Sequence, residues 1–358
     1  MDAASWALPS NGIAGQIRRG WNPLMRIGRM GVRMAVALGA LGVASVAALA
    51  LPRRGTPRTA APRSDAPMGA GAADAGRPAT GDPSRAAQTR GGAPPAPREG
   101  LPLDFLLLVL ALSIPFWLLG GGRLPIPVRL PVSALIFVNP VIAASIVTYR
   151  RHGPSGLRAL FRRAADYRRV RDKRWYLPAL LLYPLIMVLS YGVMRLARRP
   201  LPEPRIAWQT APLYLLAFLV AGAAEELGWT GYATDPMQRR WGALRTGVVL
   251  GLAWSISHLV PDIQNRQPVG WIVWQRLNTV AFRILIVWVY NNAGRSVFAA
   301  TLFHAVNNVS WALFPNAGSH YDPLVTFMVT LPVVGFVVAG WDPETLTRFR
   351  LARTRRRR

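Results

Sequence analysis

The sequence contains no cysteine, and this absence excludes disulfides, thiolate nucleophiles and cysteine-ligated metal sites. Lysine is almost absent as well, because Lys173 is the only one among 43 basic residues. Acidic residues number only 16, which gives a net charge of +27 at pH 7. The arginines lie between apolar runs and in the C-terminal stretch RFRLARTRRRR. Basic flanks that face the cytoplasm and anionic lipid account for most of them, so no nucleic-acid partner is predicted.

Apolar residues make up 51% of the 358-residue chain, and the mean hydropathy is +0.22. Several separate apolar runs approach 20 residues, the length that crosses a hydrocarbon core of roughly 30 Å as a helix. Isolated strands would leave backbone groups unpaired in lipid. The sequence therefore predicts an all-α, polytopic transmembrane helix bundle.

Four regions follow from changes in composition. Residues 1–51 form a basic segment in which the apolar run 30–51 is long enough to span a membrane; this run could also be a signal-like anchor or result from a mis-assigned start codon. Residues 52–100 lack Leu, Ile, Val and aromatic side chains, so we expect a disordered linker rich in Pro, Gly, Ala and Arg. A helical domain over 101–345 and a basic cytoplasmic tail over 346–358 complete the chain.

Eight core helices are predicted, at about 101–120, 131–149, 175–197, 208–240, 243–260, 270–291, 295–314 and 322–341. The connection 150–174 carries ten arginines and lysines, so the positive-inside rule places it in the cytoplasm. Its LRALFRR part has helical spacing and is expected along the membrane surface. Counting helices outward places the C-terminus in the cytoplasm too. We predict an integral protein of a bacterial plasma membrane.

Two adjacent acids, Glu225 and Glu226, follow the apolar run LYLLAFLVAGAA, and carboxylates in such a place usually have a function. If the chain turns near Gly242, Glu225 lies 17 residues before the turn and His258 lies 16 residues after it. Antiparallel helices then bring the two side chains to the same depth, about 24 Å from the turn.

A second histidine, His304, lies within the helix predicted at 295–314, and the stretch HAVNN places Asn308 one turn away from it. A carboxylate beside two imidazoles can act as a general base on water or take part in a metal site. The asparagine amide can donate to an oxyanion, so the set suggests amide hydrolysis. Buried histidines that only bridge helices, and acids at a solvated helix end, are the simpler interpretations. Arg276 and Arg283 could be counter-charges for the acids.

At these residues the sequence resembles the CPBP family of intramembrane proteases, relatives of the type II CAAX prenyl endopeptidase. The family motifs are EExxxR, aromatic-xxx-His and His-xxx-Asn on successive helices. They correspond to EELGWT (225–230), WSISH (254–258) and HAVNN (304–308). The resemblance covers roughly 101–341 and is most specific over 220–310.

The resemblance implies an endopeptidase that acts on a membrane-associated peptide or protein among membrane lipids. It makes Glu225 the base that activates water and Glu226 the residue that orients the site. His258 and His304 would position or polarise the water, and Asn308 would hold the oxyanion. A divalent metal such as zinc and a metal-free glutamate mechanism are both open.

One motif residue departs from the family pattern, because Thr230 replaces the arginine of EExxxR. A buried Glu226 would then need another counter-charge, for which Arg283 is the better placed candidate. Without such a substitute the enzyme would be impaired. The missing arginine also favours a second hypothesis, a non-catalytic scaffold or bacteriocin self-immunity protein of the same fold. A transporter with a glutamate–histidine proton relay is a third hypothesis.

Overall fold

The computed structural model describes residues 101–120, 132–201, 206–313 and 320–347. Within them the chain forms eight helices, in agreement with the predicted all-α bundle. They are α1 Leu103–Leu119, α2 Asn139–Arg162, α3 Tyr176–Leu196, α4 Trp208–Trp241, α5 Ala243–Gln264, α6 Val269–Asn292, α7 Val297–Leu313 and α8 Pro323–Gly340. The predictions for 1–51 and 52–100, and nearly all of that for 346–358, lie outside the described residues.

Five of the described helical segments are long and apolar enough to cross a membrane. They are Lys173–Leu196, Trp208–Trp241, Ala243–Gln264, Val269–Asn292 and Pro323–Gly340, and α1 and α7 are shorter apolar helices. Leucines and valines on α3 and α4 are largely exposed, as is usual for surfaces that contact lipid. The chain is therefore a membrane protein, whereas its orientation stays a prediction.

The second helix extends beyond its predicted end at residue 149. A 3₁₀ turn at Val132–Val138 precedes α2, which continues to Arg162 across a kink at Gly153. Gly153 has φ 61°, a value that glycine adopts without a side-chain clash. The first part of the expected 150–174 connection is thus helical, and the helical LRALFRR stretch is confirmed. Short 3₁₀ turns fill much of the rest.

Helix α6 lies at the centre of the bundle, with every residue from 281 to 290 buried. A helix that is buried all round must be surrounded by other helices. Gly247 and Gly251 let α5 approach it closely, because a Cβ at Gly251 would lie 2.8 Å from Val280 Cα. The turn that precedes α5 is at Gly242, with φ 76°, as the sequence predicts. This approach places Trp254 beside Arg283.

Candidate active site

The two acids stand at the end of the regular part of α4. The α-helix Ala211–Glu226 changes into a π-helix over Leu227–Thr234 before α-helix resumes at Asp235. π-Helical turns are rare and are often found at functional sites. Adjacent helical residues point about 100° apart, so Glu225 and Glu226 meet different partners.

Glu226 is fully buried and its carboxylate is occupied on both oxygens. Arg283 binds it with two parallel contacts, Nη1 to Oε2 at 2.7 Å and Nη2 to Oε1 at 3.0 Å. His304 Nδ1 lies 2.8 Å from Oε1, and Thr230 Oγ1 donates to Oε2. We call Glu226, Arg283, His304 and Thr230 the Glu226 cluster. It joins α4, α6 and α7.

The Glu226 cluster contains a cation in place of the missing motif arginine. Arg283 supplies the counter-charge to Glu226 from α6, as the sequence predicts, and both side chains are completely inaccessible to solvent. Thr230, which stands where the motif has arginine, also binds Glu226, because its hydroxyl donates a hydrogen bond from one turn further along α4. The buried carboxylate therefore has both a cation and neutral donors, which a buried charge requires.

Glu225 is buried as well but less fully engaged. Its Oε2 accepts a hydrogen bond of 2.7 Å from Trp254 Nε1. Its Oε1 lies 4.0 Å from Nε2 of His304, beyond direct hydrogen-bond distance. One oxygen is thus fixed by α5, while the other faces an imidazole across a gap.

His304 connects the two acids through its two ring nitrogens. Nδ1 faces the Glu226 carboxylate, which can only accept, so Nδ1 carries a proton. In the neutral imidazole Nε2 is then an acceptor directed toward Glu225. The tautomer follows from the hydrogen bond made by the other nitrogen.

Trp254 lies at the centre of the site, although the sequence identified it only as the aromatic residue of the WSISH motif. Its ring contacts the rings of His304 and His258 at centroid distances of 5.1 and 5.8 Å. The Arg283 guanidinium lies 4.3 Å from its centroid, a cation–π arrangement. The aromatic position of the WSISH motif was the signal for this role.

His258 does not contact the acids directly. Its Nδ1 lies 3.1 Å from the carbonyl oxygen of Trp254, so this nitrogen donates and Nε2 remains an acceptor. The ring is half-buried and lines a cavity next to Trp254. Glu225, Glu226 and His304 thus lie close together. His258 is connected to them only through the ring of Trp254.

The cavity has a volume of about 150 Å³, and its lining includes His258 and Asn308. Asn308 lines it, and its Oδ1 accepts from Asn307 Nδ2 at 3.1 Å, which leaves the Asn308 amide group as a donor. Its other lining residues come from α3, α5, α6, α7 and the start of the segment before α8: Met187, Trp254, His258, Gln275, Arg276, Asn278, Thr279, Phe282, Asn307, Trp311 and Tyr321. Burial raises the pKa of Tyr321, so its hydroxyl stays protonated and donates to Gln275 Oε1 at 2.6 Å.

A metal site was left open by the sequence. Among the described residues, no group of three or more His, Asp or Glu side chains is arranged to hold a metal ion. His304 lies near both acids, but Glu226 is already bound by Arg283, and Glu225 Oε1 is 4.0 Å from His304 Nε2. The residues present do not form a recognisable metal site, and no step is assigned to a metal.

The site lies within a region that matches known proteins. Residues 207–310 match the family described as "Type II CAAX prenyl endopeptidase Rce1-like". A curated relative, CAAX prenyl protease 2 of Methanococcus maripaludis, is 29% identical over 107 residues. That alignment covers 28% of this chain and 40% of the relative, so the likeness concerns the core of the site rather than the whole protein.

The matched region contains all three motifs and the complete Glu226 cluster. The resemblance stated from those motifs is confirmed. Residues 207–310 are thus similar to the type II CAAX prenyl endopeptidase Rce1-like family over the whole of this site.

Proposed function

We propose that the protein is an intramembrane endopeptidase in which Glu225 is the general base. The observation that carries the proposal is the unequal use of the two Glu225 oxygens. Oε2 is held by Trp254, while Oε1 faces His304 Nε2 at 4.0 Å. The similarity of the surrounding residues to this family supports the same reaction class.

The gap between Glu225 and His304 has the dimensions of a water site. In the neutral form of His304, Nε2 and Glu225 Oε1 are both acceptors, and two acceptors 4.0 Å apart need a donor between them. A water about 2.8 Å from each satisfies both with its two hydrogens. Its oxygen lone pairs then point away from the pair and are available for attack.

The reaction uses these groups in sequence. Glu225 takes a proton from the water, and the hydroxyl oxygen forms a bond to the carbonyl carbon of the scissile amide. The carbonyl π pair moves onto oxygen and gives a tetrahedral oxyanion. When that pair returns, the C–N bond breaks, and the amine leaves with the proton that Glu225 gives back. The products are a carboxylic acid and an amine, so water is the only co-reactant.

The cavity side chains can stabilise the oxyanion. The Asn308 amide group is a neutral donor that lines the cavity. A preorganised donor of this kind stabilises charge as it develops. Glu226 would orient His304 and thereby the water, without touching the substrate.

The arrangement favours an enzyme over the non-catalytic alternative. That alternative was motivated by the lack of a counter-charge for Glu226, and Arg283 now fills this position. The substrate would be a membrane-associated peptide or protein that reaches the site among lipids. A cytoplasmic C-terminus and a bacterial plasma membrane belong to the same proposal.

The test is the Glu225→Gln substitution in the purified full chain, assayed against a peptide library in detergent micelles. Glutamine keeps an oxygen for Trp254 Nε1 but cannot take a proton from water, so the fold should persist. We expect turnover to fall by at least about 10³-fold, within the range of general-base catalysis, with an unchanged melting temperature.

Glu344→Gln is the matched control, because Glu344 is exposed and lies outside the site. It should retain wild-type turnover. Equal rates for Glu225→Gln and the wild type would refute Glu225 as the base. If no library peptide is cleaved by the wild type while the fold is intact, the endopeptidase proposal itself fails.

A further inference from the structure

One charged side chain in the cavity has no part in the proposed reaction. Arg276 is the only Arg, Lys, Asp or Glu among the twelve residues that line the cavity. It comes from α6, two turns before Arg283, and its side chain is only 16% exposed. A cation is costly to hold in such a place unless it meets an anion.

Arg276 has a partner that uses only one edge of its guanidinium. Its Nε lies 3.1 Å from Asp262 Oδ2, and Asp262 does not line the cavity. A guanidinium carries five N–H donors in a rigid fork. Contact through Nε therefore leaves the two terminal nitrogens as donors for a group inside the cavity.

The rest of the wall is suited to a small ligand with an apolar part. Met187, Phe282 and Trp311 contribute apolar and aromatic surface. The volume of about 150 Å³ is well below the roughly 300–1,000 Å³ of drug-sized sites, and an engineered cavity of about that size binds benzene. The cavity can thus hold about one amino-acid residue.

Arg276 lines the same cavity as His258 and Asn308. Its partner Asp262 follows His258 by four residues on α5, about one helical turn. An anion bound at Arg276 would therefore lie in the same cavity as Asn308, the proposed oxyanion donor.

We propose that Arg276 binds a carboxylate of the substrate in the cavity beside the scissile bond and so determines specificity. Arginine binds carboxylates through paired hydrogen bonds, which supply direction as well as affinity. The carboxylate could be the C-terminus of the substrate or an Asp or Glu side chain. The role in cleavage rests on the proposed function, whereas binding does not.

Binding can be measured without turnover, by ligand-observed NMR on the full chain in micelles. Three probes are compared. N-acetyl-leucine carries a terminal carboxylate, N-acetyl-aspartic acid amide carries a side-chain carboxylate, and N-acetyl-leucinamide carries none. We expect one of the two acids to bind at least about 10-fold more tightly than the neutral amide, the lower end for a charged hydrogen bond. The better acid identifies the source of the carboxylate.

Two variants remove the cation in different ways. Arg276→Gln alone leaves Asp262 without its partner and could disturb folding. The double variant Arg276→Gln with Asp262→Asn replaces the ion pair by two neutral amides. Arg151→Gln is the control, because Arg151 pairs with Asp104 at the exposed surface.

The preference for an acid should disappear in the double variant and persist in Arg151→Gln. It should also persist in Glu225→Gln, so failure of the proposed reaction would leave this result unaffected. Equal binding of acids and amide by the wild type would overturn the proposal, as would an acid preference retained by the double variant. The absence of saturable binding by either acid would also overturn it.

Discussion

The Glu226 cluster and the cavity lie side by side in the bundle but differ in how completely their polar groups are paired. In the cluster, Glu226 uses both oxygens, and its side chain and that of Arg283 are inaccessible to solvent. In the cavity, His258 and Asn308 are half-buried and keep an acceptor or a donor available. The two regions meet at Trp254, which lines the cavity and contacts both Arg283 and His304.

This difference in pairing suggests different tasks for the two adjacent acids, Glu225 and Glu226. A carboxylate bound by a guanidinium and a hydroxyl is held in one position and is poorly suited to accept a proton. A carboxylate with one oxygen facing an imidazole across 4.0 Å can exchange a proton with a small molecule placed there. Glu226 therefore supports the geometry, and Glu225 is the candidate for chemistry.

The largest expected effect breaks the cluster. Arg283→Leu should lower the free energy of unfolding by about 3–5 kcal/mol, because it leaves Glu226 buried without a counter-charge. It also removes the cation stacked on Trp254. Thermal unfolding in detergent, compared with the exposed-site control Arg245→Leu, would measure the loss.

A second substitution sharpens that result. Thr230→Arg should partly rescue Arg283→Leu, since it returns a cation four residues after Glu226 on the same helical segment. If Arg283→Leu changes neither the melting temperature nor turnover, the pairing is dispensable and the non-catalytic hypothesis gains. A sharp rise of turnover in Thr230→Arg alone would mean that Arg283 replaces the motif arginine poorly.

A somewhat smaller effect is expected on the cavity side. Asn308→Ala should lower kcat by about 10²–10³-fold, the usual cost of one oxyanion donor. KM should change little, because the interaction forms mainly in the transition state. Asn265→Ala, at the exposed end of α5, is the control. A wild-type kcat for Asn308→Ala would show that this asparagine only packs against its neighbours.

The smallest expected effect removes one hydrogen bond from the cluster. Thr230→Val keeps the shape of the side chain but removes the hydroxyl that donates to Glu226, so the free energy of unfolding should fall by about 1 kcal/mol. Thr246 offers a matched control, because its buried hydroxyl makes no hydrogen bond among the described residues. A loss no larger for Thr230→Val than for Thr246→Val would exclude a supporting role for the hydroxyl.

The sequence predicted the helices well, because apolar runs and turn residues indicate where they begin and end. It also predicted the partner of Glu226, since a buried carboxylate needs a cation and few arginines lie inside apolar helices. The position of Arg283 in the middle of α6 was enough to identify it.

The level along each helix was predicted only to within about one turn. Counting from the turn placed Glu225 opposite His258, but Trp254, one turn earlier on the same face of α5, contacts the acid, and His258 lines the cavity. The hydrogen bond from Trp254 to Glu225 was likewise not predicted, because the motif specifies only an aromatic residue and not one with an N–H donor. The extension of α2 beyond residue 149 was not predicted, because the helix continues past a kink at Gly153 into an arginine-rich stretch that resembles a connection.

The π-helix after Glu226 has a consequence for how this segment tolerates changes in length. In a π-helix the hydrogen bonds run from residue i to i+5 rather than i+4. Each π turn therefore holds more residues than an α turn, so the segment absorbs about one residue that would rotate every later side chain of α4 by about 100° in a regular α-helix. Without that adjustment Asp235 would lose the hydroxyl of Tyr290, and Gln238 would lose Asn291. Loss of one residue between 227 and 234 should thus restore regular α-helix with little rotation of the later side chains, whereas a further insertion should disturb them more than several substitutions.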